Sequence, residues 1–273
     1  MISVHSVMRP LSEFSMAARA HIVGVLADID DTITSDGRLT ASAYSALEQL
    51  RDAGFKVIPV TGRPAGWCDH IARMWPVDAV VGENGAFWMR YDAVAGRLKT
   101  VFAQTIVADR QARIDALGKK ILAAVPGCAL ASDQFCRLAD LAIDFCEDVA
   151  PLPGEAVDAI VRCMEEAGMR AKVSSIHVNG WFGDYDKLST TRRMLQEEFG
   201  ITLDNKSYRE RWVFIGDSPN DAPMFGFFPN SVGVANVLDF MNRLDTMPTF
   251  VTCASSGAGF AELCNALLVA RSV

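Results

Sequence analysis

Four short segments carry the residue types that could do chemistry: Asp28-Ile29-Asp30-Asp31-Thr32, Thr61-Gly62-Arg63, Lys187 in Gly183-Asp184-Tyr185-Asp186-Lys187, and Gly216-Asp217-Ser218-Pro219-Asn220-Asp221. Asp28 and Asp30 are two apart at the end of an apolar run. In extended backbone, residues i and i+2 leave the same side. One carboxylate can then be a nucleophile and the other a proton donor or acceptor, although the same residues also suit a polar turn with an Asx cap. Thr61-Gly62-Arg63 offers a hydroxyl, close backbone approach and a helix start, which together favour an anion, or a plain strand-to-helix turn. Lys187 alone reads as a solvated charge and gains interest only from its company. The fourth segment has two carboxylates four apart with Ser218 and Asn220 between them. Such an oxygen-rich loop suits Mg2+, which takes one or two carboxylates and keeps several waters; an ordinary Asp-Ser-Pro turn is the alternative. Gathering Asp28, Asp30, Asp217 and Asp221 at one edge is unfavourable in itself. Two like charges ~4 Å apart repel by about 4 kcal/mol at an effective dielectric of ~20. A divalent cation and the Lys187 ammonium would offset most of that, leaving a site that tolerates a phosphate dianion beside an attacking aspartate.

Each segment follows an expected strand or opens an expected helix. Runs at 21–26, 55–60, 78–81, 211–215, 231–234 and 249–252 read as strands, and periodic stretches at about 41–53, 64–75, 188–199 and 260–270 as helices. That alternation is the mark of βαβ units in a parallel sheet, where ligands bind beyond the carboxyl ends of the strands. The middle differs: strands are expected at 86–91, 98–104, 138–145 and 171–179, with helices at about 108–124 and 154–167. The expectation is an α/β protein, a Rossmann-like core over 21–85 and 184–273 with an α+β insert over 86–183. Residues 1–20 read as a poorly ordered leader or a short surface helix.

Composition narrows the function classes. Of 273 residues half are apolar and 22% are charged, enough for a sizeable core and against wholesale disorder. The net charge of -7 leaves no global basic footprint for nucleic acid or anionic membranes. No apolar run approaches the ~18 residues of a membrane span. Seven widely spaced cysteines without a Cys-x-x-Cys fit reduced thiols, and with no secretory signal the expected location is cytoplasmic. Oligomeric state leaves no mark in the sequence.

The four segments, in this order and spacing from about residue 22 to 268, resemble the motifs of the haloacid dehalogenase (HAD) superfamily. Glu83-Asn84-Gly85-Ala86 and the long insert between the second and third motifs are similar to its Cof-like (IIB) branch, whose insert is an α/β cap. The tail Gly257-Ala258-Gly259-Phe260-Ala261-Glu262 is similar to a Gly-rich segment of sucrose-phosphate and mannosyl-3-phosphoglycerate phosphatases. The resemblance implies that Asp28 forms an aspartyl-phosphate and that Asp30 protonates the leaving alcohol and then activates water. It implies that Thr61, with Gly62, Arg63, Asn84 and Asn220 around it, binds the phosphoryl group and that Lys187 neutralises it. Mg2+ would sit on Asp28, the backbone carbonyl of Asp30 and Asp217, with Asp221 supporting the shell. Leu188 stands where many relatives have glycine. The implied activity is a Mg2+-dependent phosphatase acting on a small phosphorylated metabolite, a sugar phosphate or a glycosyl-phosphoglycerate. A phosphomutase and a non-catalytic phosphate- or metal-binding regulator are the alternatives. Asp30 argues against dehalogenation, which needs no second acid. Ser175, His177 and Asn179, at period two on one expected cap strand, are the candidates for reading the sugar; they are equally suited to a half-exposed sheet.

Overall fold

The computed structural model describes residues 8–105 and 108–271. The chain runs through β1 (Arg9–Pro10), α1 (Met16–Ala20), β2 (Gly24–Ala27), α2 (Ala41–Asp52), β3 (Lys56–Pro59), α3 (Ala65–Met74), β4 (Val80–Gly82), β5 (Phe87–Asp92) and β6 (Arg97–Phe102). It continues through α4 (Arg110–Ala124), β7 (Ala129–Leu130), β8 (Asp140–Asp144), α5 (Gly154–Glu166), β9 (Arg170–Val173) and β10 (His177–Trp181). The last part holds α6 (Lys187–Phe199), α7 (Lys206–Arg209), β11 (Trp212–Gly216), α8 (Ala222–Phe227), β12 (Asn230–Gly233), β13 (Phe250–Val251) and α9 (Ser256–Arg271).

The core is a parallel sheet of order β1-β13-β12-β11-β2-β3. Its central strands, Gly-Val-Leu-Ala in β2 and Trp-Val-Phe-Ile-Gly in β11, are buried throughout. They are apolar on both sides because both faces are covered. Val25, Val213 and Ile215 pack with residues of α2, α3 and α9 on one face. Leu26, Phe214, Met194 and Met224 form the cluster on the other, under α6 and α8.

Three expectations change here. β5 pairs with β4 and β6 with β5, neither with the insert, and Val60 bridges Val81 to join β4 to the end of β3. Phe87 and Met89 enter one core cluster and Trp88 the other; a strand apolar on both sides needs cover on both. The stretch 86–102 therefore packs with the core, although the sequence put it in the insert. Second, residues 8–20 are not a loose leader; the alternative, a short surface helix, is met by α1, none of whose residues is buried. β1 pairs with β13, Leu11 and Phe14 are buried, and Phe14 stacks on Phe250 at 4.8 Å. The earlier part of the expected leader, 1–7, lies outside the described residues. Third, the single strand expected at 171–179 is two, β9 and β10, antiparallel to each other. The Ser174 hydroxyl accepts N–H bonds from Ile176 and His177 and closes the turn between them.

The remaining insert is an antiparallel sheet of order β7-β8-β10-β9. Leu141, Ile143 and Val178 pack under Ile114 and Ile121 of α4 and Ile160 and Met164 of α5. The alternate positions fall on the opposite face. There His177 is in register with Asp144, Asn179 with Ala142 and Lys172, and Trp181 with Asp140 and Arg170. That polar face is turned toward the core. Among the described residues no helix is long and apolar enough to cross a membrane, and all seven cysteines are free thiols.

Candidate active site

Asp28 follows β2, Thr61 follows β3, Asp217 follows β11, and Lys187 opens α6. The parallel sheet delivers all four to one edge. Asp186 caps α6 through a bond from the Ser189 N–H at 2.7 Å, which sets the direction in which Lys187 leaves the helix. Lys187 Nζ donates to Asp28 Oδ1 at 2.7 Å and to Asp221 Oδ1 at 2.8 Å, and all three are buried. Carboxylate oxygens of Asp28, Asp217 and Asp221 lie within 4.8 Å of one another. Gly216 allows this closeness: a Cβ there would strike the Asp221 carboxylate.

Burial pushes Asp28 up to about 8, against the opposing pull of Lys187 and with the help of Asp221. Asp217 is raised well above the usual range by burial, then by the charges of Asp28 and Asp221. Three buried carboxylates facing one ammonium would, if all ionised, leave two negative charges uncompensated, which on top of burial is why Asp28 and Asp217 hold their protons more tightly. A divalent cation carries that charge, and the donors are all oxygen, so the residues present fit Mg2+. Asp221 is already engaged at both oxygens, by Lys187 at Oδ1 and by the Asp217 and Ser218 N–H groups at Oδ2. Asp217 accepts the Thr32 hydroxyl at 3.4 Å and the Asn236 amide at 3.2 Å. Asn236 escaped the sequence reading. The signal was available, since it lies three residues beyond β12, at the carboxyl end of a parallel strand. Its amide also holds the Asp31 carbonyl at 3.0 Å, which braces the first motif against the fourth.

Thr61 is fully buried, and its hydroxyl accepts the Arg63 N–H at 3.0 Å, a role that leaves its own proton to give. Gly62 lies against the buried Asn84 amide, and Asn220 accepts the Ser218 hydroxyl at 2.9 Å. Arg63 does not point at an empty anion site. It grips Asp30, with Nε 2.9 and 3.1 Å from the two carboxylate oxygens, and reaches Glu147 of the insert at 2.6 Å and Asp133 at 3.4 Å. His177 Nε2 lies 2.9 Å from the other oxygen of Glu147. Burial raises Glu147, yet His177 and Arg63 outweigh it and hold the carboxyl at about 2. Asn179 donates to Asp140 at 2.9 Å, and Asp140 and Asp133 are both held by Arg137, which also donates to the Gly62 carbonyl. Ser175 sits in the β9–β10 turn, beside Asp31 rather than on the face of His177 and Asn179. The three cap candidates thus divide, two joining a core-to-insert network and one leaving it.

Glu83, quoted for its place in Glu83-Asn84-Gly85-Ala86, turns out to be a pin between the two parts. Its carboxylate accepts N–H bonds from Ala65 of the core and from Leu138, Ala139 and Asp140 at the start of β8. With the insert so held, the space enclosed by Asp28, Asp30, Arg63, His177, Asn179 and Asn220 is about 10 Å³. That is room for about one water, so the closed arrangement does not hold a phosphate ester over Asp28.

Residues 25–114 match the family model of haloacid dehalogenase-like hydrolases. A sequence search of curated proteins finds no match. Among solved structures, the C-terminal domain of trehalose-6-phosphate phosphatase from C. albicans is 13% identical and covers 97% of this chain and 99% of its own, with a TM-score of 0.70. A putative HAD/COF-like hydrolase from Plasmodium vivax is 17% identical over 93% of this chain and 99% of its own, TM-score 0.66. A HAD subclass IIB sugar phosphatase is 15% identical over 89% and 97%, TM-score 0.60. The fold shared with them is the HAD core with a cap.

Proposed function

We propose that this chain, a haloacid dehalogenase-like hydrolase, is a Mg2+-dependent phosphatase that hydrolyses a small sugar phosphate through an aspartyl-phosphate on Asp28. One observation carries the reading: a buried lysine bonded at once to Asp28 and Asp221, with Asp217 alongside, three carboxylates to one ammonium. Neighbours of the same fold described as trehalose-6-phosphate phosphatase and as a sugar phosphatase support the substrate class. Asp28, Asp217 and the Asp30 carbonyl would hold the cation, which supplies positive charge against the transferring phosphoryl group. Asp221, with both oxygens occupied, supports the loop and Lys187.

Asp28 attacks phosphorus as the bond to the ester oxygen breaks, and Asp30 gives its proton to that leaving oxygen. Asp30, now a carboxylate, takes a proton from water as that water attacks the aspartyl-phosphate, releasing phosphate and restoring Asp28. Lys187 and the Thr61 hydroxyl hold the phosphoryl oxygens throughout. Arg63 must release Asp30 before either proton transfer, because it covers both carboxylate oxygens. The cap in this reading spans about 108–182 and opens by parting Glu147 and Asp133 from Arg63 and Arg137 from the Gly62 carbonyl. A panel of phosphorylated metabolites assayed with Mg2+, with mass spectrometry of the quenched enzyme, tests the proposal. Phosphate release and one phosphoryl adduct on Asp28 are expected. Release that persists in Asp28→Asn, or after exhaustive chelation, would sink the mechanism or the metal.

A further inference from the structure

A cavity of about 320 Å³ lies next to Lys187, between the core and β9. Asn84, Lys187 and Asn220 line it from the core, and Arg170, Lys172 and Trp181 from the cap. Asn84 is 2% exposed, yet neither Nδ2 nor Oδ1 has a partner. A buried amide left unpaired is a standing penalty, relieved when a ligand supplies the missing bonds. Asn220 also borders the small space over Asp28, so the cavity adjoins the phosphoryl site.

The charges around this cavity differ from those at the other mouth of the cleft. Lys172 is exposed, shares a sheet face with Asn179, and has no ion-pair partner among the described residues. Arg170 pairs with Asp184, and the Asp186 carboxylate is occupied in capping α6. Glu165 is the remaining acid on this rim. The opposite mouth, about 230 Å³, is walled by Asp30, Asp31, Asp36 and Glu147, with Arg63 as its one cation. An anionic group on the substrate would be repelled there and received here.

We propose that the substrate carries a second anionic group, a carboxylate or a phosphate, which lies in the β9 cavity with Lys172 as its ionic partner and the Asn84 amide bonding the portion between the two anions. The inference rests on the phosphatase reading. It is tested by competition against p-nitrophenyl phosphate hydrolysis, using matched pairs: glucose 6-phosphate against 6-phosphogluconate for a carboxylate, and fructose 6-phosphate against fructose 1,6-bisphosphate for a phosphate. The doubly anionic member of at least one pair should compete about two- to fivefold better, the order expected of one exposed ion pair. Lys172→Glu should erase or invert that preference, Lys172→Arg should keep it, and added salt should compress it in the native protein. Equal or better competition by the singly anionic member of both pairs overturns the proposal. So does a preference that survives Lys172→Glu, or the absence of competition by every compound. If p-nitrophenyl phosphate itself is not hydrolysed with any divalent cation, the phosphatase reading is what fails.

Discussion

The strand-end site and the cap contact are both rich in buried carboxylates, but they are balanced differently. At the cap contact four acids are paired with cations, Asp133 and Asp140 on Arg137, Asp30 on Arg63, Glu147 on Arg63 and His177, while Glu83 is held by backbone N–H groups. At the strand ends Asp28, Asp217 and Asp221 share one lysine, and the proton affinities of Asp28 and Asp217 rise accordingly. A closed network of charges holds structure in place. An open one is incomplete without a ligand, which is why perturbed titration marks functional sites.

That contrast is broken most sharply at Asp28. Asp28→Asn keeps size and hydrogen bonding but removes the attacking charge, so turnover of any phosphate ester should fall by several orders of magnitude. Circular dichroism should show the fold retained. Near-normal turnover would place the nucleophile elsewhere. At the cap contact the larger effect should be on stability. Arg137 has no side-chain exposure, and Arg137→Ala leaves Asp140 buried without a cation and Asp133 with only Arg63 at 3.4 Å, a loss of about 3–5 kcal/mol in urea unfolding. A variant as stable as the native chain would mean that the network is not closed in solution.

Glu147 is half-buried, so Glu147→Gln should cost at most about 1 kcal/mol of stability. Its clearer effect should be on the latch: KM for a sugar phosphate should fall severalfold as the cap parts more readily. An unchanged KM would separate Glu147 from cap opening. The smallest effect is a slope. Burial, with the Asp140 charge, pushes Glu83 from 4.5 up to about 7, against its backbone N–H donors and Arg137. Between those values the folded protein keeps a proton that the unfolded chain has released. The Glu83 contribution to stability is therefore present in full below pH 4.5 and declines as pH rises toward 7. Glu83→Gln should remove that decline, read as the difference in unfolding free energy between pH 5 and pH 7. An identical slope in both proteins would assign the titration to another group.

How much was legible can be judged residue by residue. Asp28, Thr61, Lys187 and Asp217 could be read because each is the first polar group past an apolar strand or at a helix start, and parallel topology sends such positions to one edge. The cap residues could not be read in the same way. His177 and Asn179 do share a face, as their period-two spacing predicts, but their partners Glu147 and Asp140 lie 30 and 39 residues away. Ser175 was misplaced because the turn that removes it from that face depends on one side-chain bond pattern at Ser174.

The sequence by itself determined the alternating α/β order, the buried central strands and the edge at which the acids and Lys187 gather. These follow from hydrophobic period and from the direction of parallel strands, which are local properties of the chain. Only the tertiary structure decided that 86–102 packs with the core, that Leu11 and Phe14 anchor the beginning of the described chain, and that Arg63 is held by Asp30 and Glu147 instead of standing open for an anion. An apolar strand does not state which surface will cover it, and a guanidinium does not state which carboxylate will reach it. Both are settled by which distant groups arrive within ~4 Å once the chain is packed, where burial makes an unpaired charge too unfavourable to keep.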